Sequence, residues 1–268
     1  MSTSGSSSTG TSWSRCGSGQ SVILLHGVGM NKNVWAPQVN DLCEDFDVLV
    51  FDMWGHGESV LPNRKLKLED YTEQLIALLD ELEIEPAHIV GHSMGALIAI
   101  DYALAHRCQS VSALNAVFMR TPDQSAAVRD RAAQLSAGGV GVNLEETLQR
   151  WFGAPSELQY IEAASLAREL LLAVKPEGYA MAYEVFASSD SVHASHLGEL
   201  KVPSLFFTAD GDPNSTPAMS QAMADLAPNG TVKVLTGHRH MMTLTAPALV
   251  SESLRTFFNS APQLALKQ

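Results

Sequence analysis

The three cysteines of this chain, at positions 16, 43 and 108, are too few and too scattered for a disulfide framework, and their number is odd. No Cys/His spacing suits zinc, so no metal is expected, and a reducing, cytoplasmic setting is the default. Cations are also scarce. Seventeen Lys and Arg stand against 29 Asp and Glu, a net charge of −12. That balance repels nucleic acid and anionic membranes, which leaves a small molecule as the expected partner. No apolar run reaches the roughly 18 residues of a membrane helix. The opening "MSTSGSSSTGTSWSRCGSGQ" (1–20) has no apolar stretch, so it reads as a flexible leader and not as a secretory signal. Without such a signal, the glycosylation-like triplets at Asn214 and Asn229 read as accidental. Internal repeats are missing too. What remains is 268 residues, 46% of them hydrophobic, enough for the core of one α/β domain with room for an insertion. A monomer or small homo-oligomer is expected.

Short apolar runs alternate with helical spacing. "SVILLHG" (21–27), "FDVLVFD" (46–52), "HIVGHS" (88–93), "VSALNAV" (111–117), "VPSLFFTAD" (202–210) and "TVKVLTG" (231–237) predict strands. They are almost continuously apolar, as strands covered on both faces must be. The spacing predicts helices over 69–83, 94–106, 217–227 and 246–258. This alternation predicts a doubly wound, mostly parallel sheet. Residues 120–196 break the rhythm with amphipathic segments and no good strand, which suggests a helical cap inserted between a core of 21–119 and 197–268. The glycines of "AGGVGVN" (137–143) join two cap segments; they follow no strand, so they carry little phosphate-binding signal.

One stretch points to chemistry. "GHSMG" sets Ser93 between Gly91 and Gly95, after a predicted strand and before a predicted helix. A strand turning sharply into a helix brings backbone close at both flanking positions, where only a small residue fits. The serine hydroxyl is then exposed in a strained turn, beside the N–H groups that open the helix. A serine needs a base to become a nucleophile, and the base needs a carboxylate to orient it. In the chain order Ser, Asp, His, those partners fall in "TADGDPNSTP" (208–217) and "TGHRHMMTLTAP" (236–247). Asp210 or Asp212, and His238 or His240, are the candidates. The N–H of Met94, next after the nucleophile, is one oxyanion donor.

With these motifs the chain resembles the α/β-hydrolase superfamily, and most closely its small cofactor-free esterases, enol-lactonases and haloperoxidase-like members. "HGVGMNKNVW" resembles the family's first active-site loop, "DMWGHGES" its Gly-x-Gly-x-Ser turn and "GHSMG" its nucleophile elbow. The resemblance implies the α/β-hydrolase fold, no cofactor and the N–H of Val28 as second oxyanion donor. It favours Asp212, which precedes a proline-bearing turn, and His240, seven residues before Pro247. Asp210 then serves its loop. His26 and His56 are expected to brace loops.

The implied function is a serine hydrolase that cleaves a small carboxylic ester or lactone through an acyl-enzyme. The first alternative is carbon–carbon bond hydrolysis by the same triad, and the second is a small-molecule receptor with a slow or vestigial triad. A dehalogenase is disfavoured, because Ser93 stands where that chemistry uses aspartate. Met30, Trp35, Trp54, Met119, Trp151, Phe186 and Met241 are candidate pocket residues, with Met94 and Phe152 beside them. Arg120, where strand 111–117 hands over to the insertion, either meets a substrate carboxylate or pairs with an acid; the ion pair is the expected reading.

Overall fold

The computed structural model describes residues 2–138, 144–154 and 158–262. Most of the glycine-rich stretch 137–143 lies outside them. Eight strands form one sheet: β1 (Ser2–Ser6), β2 (Ser12–Gly17), β3 (Ser21–Leu25), β4 (Asp47–Phe51), β5 (His88–His92), β6 (Ser110–Leu114), β7 (Ser204–Ala209) and β8 (Gly230–Leu235). Their spatial order is β1-β2-β4-β3-β5-β6-β7-β8. From β4 to β8 every pairing is parallel, while β1–β2 and β2–β4 are antiparallel. Every residue of β4, β5, β6 and β7 is buried, the cause of their unbroken apolar sequence.

The helices are α1 (Ala36–Leu42), α2 (Leu68–Glu81), α3 (Met94–Ala105), α4 (Pro122–Gly138), α5 (Leu144–Phe152), α6 (Leu158–Ala173), α7 (Pro176–Ser188), α8 (Pro217–Leu226), α9 (Met242–Thr245) and α10 (Pro247–Ser260). Helices α4 to α7 fall between β6 and β7 in the chain. Among the described residues no helix is long and apolar enough to cross a membrane.

The strand order reverses at β3, which has β4 on one side and β5 on the other. A parallel sheet opens a crevice at the carboxyl ends of its strands where the order reverses. The turn after β5, with Ser93, lies at that crevice.

The first twenty residues correct the sequence reading. The sequence reads residues 1–20 as a flexible leader. Instead β1 and β2 form a full hairpin, paired from Ser2 opposite Cys16 to Ser6 opposite Ser12, and β2 pairs with β4. Its order comes from ladder bonds and anchors, not from apolar burial. Every residue of β1 is exposed. The turn is closed by Ser7 N–H donating to Thr11 O, and Ser8 donates to the Glu81 carboxylate through both its N–H and its hydroxyl. Arg15 forks onto Asp47 at 2.6 and 2.7 Å.

Candidate active site

Ser93 leaves β5 with φ +56° and ψ −116°, a region that non-glycine residues rarely enter. The flanking glycines make this turn possible. A Cβ on Gly91 would stand 1.9 Å from the carbonyl oxygen of Gly95, and one on Gly95 would stand 2.4 Å from that of Leu25. Both obstacles are backbone within rigid elements. Gly91→Ala should therefore cost about 4 kcal/mol or more and yield little folded protein. Soluble yield and a urea melt read this directly, and a near-normal melt would contradict the steric account.

Met94 is the first residue of α3, so its amide has no partner within the helix. Its side chain is wholly buried. Val28, on the loop after β3, lines the same cavity as Ser93 and His240. That cavity has a volume of about 230 Å³.

Of the two aspartates, Asp212 is the one that meets a histidine. His240 Nδ1 donates to Asp212 Oδ2 at 2.8 Å, and both residues are buried. A carboxylate only accepts, so Nδ1 carries the proton and Nε2 is left as the basic nitrogen. Asp212 Oδ2 also accepts from Asn115 Nδ2 at 2.9 Å, and Oδ1 accepts from the N–H groups of Asn214 (2.8 Å) and Ser215 (3.3 Å). Burial alone would raise the Asp212 carboxyl, but the charge and hydrogen bond of His240 and the bonds from Asn214 and Asn115 outweigh it. They hold the carboxyl below its ordinary value. Asp210 instead accepts from Gly237 N–H at 2.8 Å, in an exposed loop. His238 faces Thr245 Oγ1 at 3.0 Å and stacks against Tyr160.

His92 was not among the expected site residues, yet its Nε2–H donates to the carbonyl of His240 at 2.8 Å. Burial, and then the nearby charge of His240, push its pKa down to about 3, so it is neutral. The His240 ring lies between His92, tilted at 4.9 Å, and Trp151, stacked at 5.8 Å. His26 and His56 hold loops together. His26 Nε2 accepts from Met53 N–H and His56 Nε2 accepts from Gly29 N–H.

The expected pocket needs correction. Trp151 and Phe186 do line the cavity. Met30, Trp35 and Met241 are packed in the core, with Trp35 edge-on to His92 at 6.4 Å. Trp54 is partly buried against the core, outside the lining. Phe152 is buried beside a separate cleft of α5 and α6. Met119 points to solvent at 56% exposure, because the chain turns at φ +47° there and its N–H is drawn to Asp190 O. These side chains are apolar enough for a pocket, but depth below the crevice decides which reach it.

Three arginines stand in the lining instead: Arg120, Arg131 and Arg150, joined by Tyr183. Arg120 does form the expected ion pair, to Asp190 at 3.2 Å, and lines the cavity as well. Arg131 and Arg150 were missed. A signal was present. Val128, Arg131 and Leu135 share one face of α4 by their spacing, and Val128 and Leu135 are buried, so a cation interrupts an apolar stripe.

Chemically, the site offers a strained serine and a carboxylate-oriented histidine on one cavity, with backbone N–H groups at the same crevice. A sequence model of the alpha/beta hydrolase family matches residues 22–253. The chain is 35% identical over 248 residues to the (E)-2-((N-methylformamido)methylene)succinate hydrolase of Acinetobacter baylyi, covering 92% of this chain and 93% of that one. It is 30% identical over 199 residues to 3-oxoadipate enol-lactonase 1 of the same organism, covering 73% and 72%. The crystal structure of the enol-lactonase from Burkholderia xenovorans superposes with a TM-score of 0.84 at 24% identity, over 93% of this chain and 96% of that one. By the match to the family and by its fold, this chain belongs to the α/β-hydrolase family.

Proposed function

We propose that the protein is a serine hydrolase that cleaves a small ester or lactone through an acyl-enzyme. The observation that carries this reading is the convergence of Ser93 in its strained turn and the Asp212–His240 pair on one cavity. Ser93 Oγ attacks the carbonyl carbon while His240 Nε2 takes the hydroxyl proton. The N–H groups of Val28 and Met94 hold the oxyanion of the tetrahedral intermediate. The carbon–oxygen bond then breaks, and His240 returns the proton to the leaving oxygen. In a lactone that oxygen stays tethered to the acyl group. Water attacks the Ser93 ester, gives a proton to His240, and the acid leaves as Ser93 regains its hydrogen. Asp212 fixes the tautomer of His240 and stabilises its charged form. Helices α4 to α7 act as a cap: Arg131, Arg150, Trp151 and Phe186 come from them and wall the cavity above Ser93.

A second reading has one observation behind it. The 35%-identical relative is named for a succinate that carries a formamide, not for an ester or lactone. The same steps then act on an amide carbonyl, with nitrogen as the leaving atom.

The test is a fluorophosphonate probe followed by peptide mass mapping, beside a panel of short esters, lactones, amides and vinylogous diketones. One phosphonyl group per chain on Ser93, formed more slowly while a panel member is present in excess, supports the reading. An intact Ser93 alongside sustained hydrolysis would sink it. The panel member turned over fastest selects between ester, amide and carbon–carbon cleavage.

A further inference from the structure

We propose that the cavity above Ser93 is built for a substrate with two ionised carboxylates beside the carbonyl under attack, and that Arg120, Arg131 and Arg150 bind them; this rests on the hydrolase reading above. The lining holds three guanidinium groups, and among the described residues that form it there is no Asp or Glu. In a chain of net charge −12 that is a local inversion of sign. Three cations around about 230 Å³ repel one another unless an anion comes between them.

The existing partners do not use up their capacity. The Arg120 side chain is 3% exposed and donates from Nη1 to Asp190 Oδ1 and Phe186 O. Its Nη2 is buried without a hydrogen-bond partner. Arg131 donates from Nε to the Tyr183 hydroxyl at 3.3 Å, and among the described residues no carboxylate pairs with it. Arg150 reaches Glu146 at 3.4 Å, but that carboxylate is 65% exposed, and such a contact is weak. Burial first, and then the charge of Arg131, hold Arg150 below its ordinary pKa, so the two guanidiniums sense each other. A buried polar donor without a partner is costly, and a carboxylate satisfies two guanidinium N–H groups at once. Val128, Trp151 and Phe186 supply apolar wall for the carbon chain between the charges. The volume limits that chain to a few carbons.

The test separates binding from turnover. The Ser93→Ala protein is titrated calorimetrically with glutarate, butyrate and inorganic phosphate. Glutarate should bind at least about 30-fold tighter than butyrate, in keeping with the strength of charge-assisted hydrogen bonds, and tighter than phosphate. Arg131→Gln and Arg150→Gln should each weaken glutarate about tenfold, and Arg131→Lys should recover only part, because lysine lacks the planar fork. In the protein with Ser93 intact, the ratio of kcat/KM for the monoethyl ester of tricarballylate over that for ethyl butyrate should fall with the same substitutions. Equal affinity for glutarate and butyrate, no binding of either, or tighter binding of phosphate would overturn the proposal. Ser93-dependent cleavage that ignores the free carboxylates would overturn it too, while leaving the hydrolase reading intact. Glutarate affinity that depends on the arginines, in a protein whose esterase activity survives Ser93→Ala, would support this inference and reject Ser93 as the nucleophile of the proposed reaction.

Discussion

Ser93→Ala should lower kcat on the best substrate by about 10⁴- to 10⁶-fold, with binding of a non-reacting analogue unchanged. On the proposed mechanism, the size of the effect follows from removing the attacking atom itself. What remains is transition-state stabilisation by the N–H groups and the bound geometry. The fold should not suffer, because alanine keeps the Cβ in the same φ +56° turn. Asp212→Asn is the instructive contrast. It should cost about 10⁴-fold in kcat, because it leaves the His240 tautomer unfixed. It should also cost about 1–3 kcal/mol of stability. Asp212 accepts from four donors, on His240, Asn115, Asn214 and Ser215. An asparagine NH₂ would have to face one of them, donor against donor. Single-turnover kinetics paired with urea melts read both effects. A Ser93→Ala enzyme within tenfold of the parent, or an Asp212→Asn protein with full activity, would remove these residues from the mechanism.

Lowering the pH from about 6.5 to about 5 should remove about 5 kcal/mol of stability, comparable with the whole stability of many domains. Burial drives this. It pushes His56 and His92 down to about 3 and His88 to about 4, with His26 adding to the first of these and His240 to the second. In the unfolded chain these imidazoles take protons near their ordinary value of about 6.5. Below that pH the unfolded state binds up to three more protons than the folded one, so stability falls as pH falls. Each histidine contributes a slope of about 1.4 kcal/mol per pH unit within its window. His26 is lowered by burial as well and steepens the loss. Asp212, whose carboxyl is held low, contributes stability above the ordinary aspartate value and loses it only at lower pH, so it does not offset the decline. Urea midpoints across the range measure the slope. His88→Leu removes one of four titrating groups, one that lies outside the cavity, and should reduce the slope by about a quarter whatever it does to absolute stability. A flat pH profile would show that these histidines are protonated in the folded state.

Much of the architecture was legible in the residues because its causes are local. A parallel strand buried on both faces must be apolar throughout, so β3 to β7 announced themselves. The Gly91-x-Ser93-x-Gly95 spacing encodes a backbone approach of about 2 Å that no Cβ survives, so the elbow was legible as well. The tertiary structure decided what depends on distant partners. The hairpin of β1 and β2 has almost no apolar signal, because its order comes from the ladder to β4 and from the Glu81 and Asp47 carboxylates. Asp210 and Asp212 are equivalent as residue types, and only the packing of two loops brings Asp212 to His240. The pocket was least legible. Residue type and spacing show that a side chain is apolar but not what it faces: Met119, in the turn after β6, points to solvent and Trp35 lies in the core, while Arg131 and Arg150 turn inward. The sequence by itself determined the sheet and its strained serine, because sterics and burial act along the chain. Only the tertiary structure decided the charge of the cavity, because that charge is set by which faces of separate helices meet.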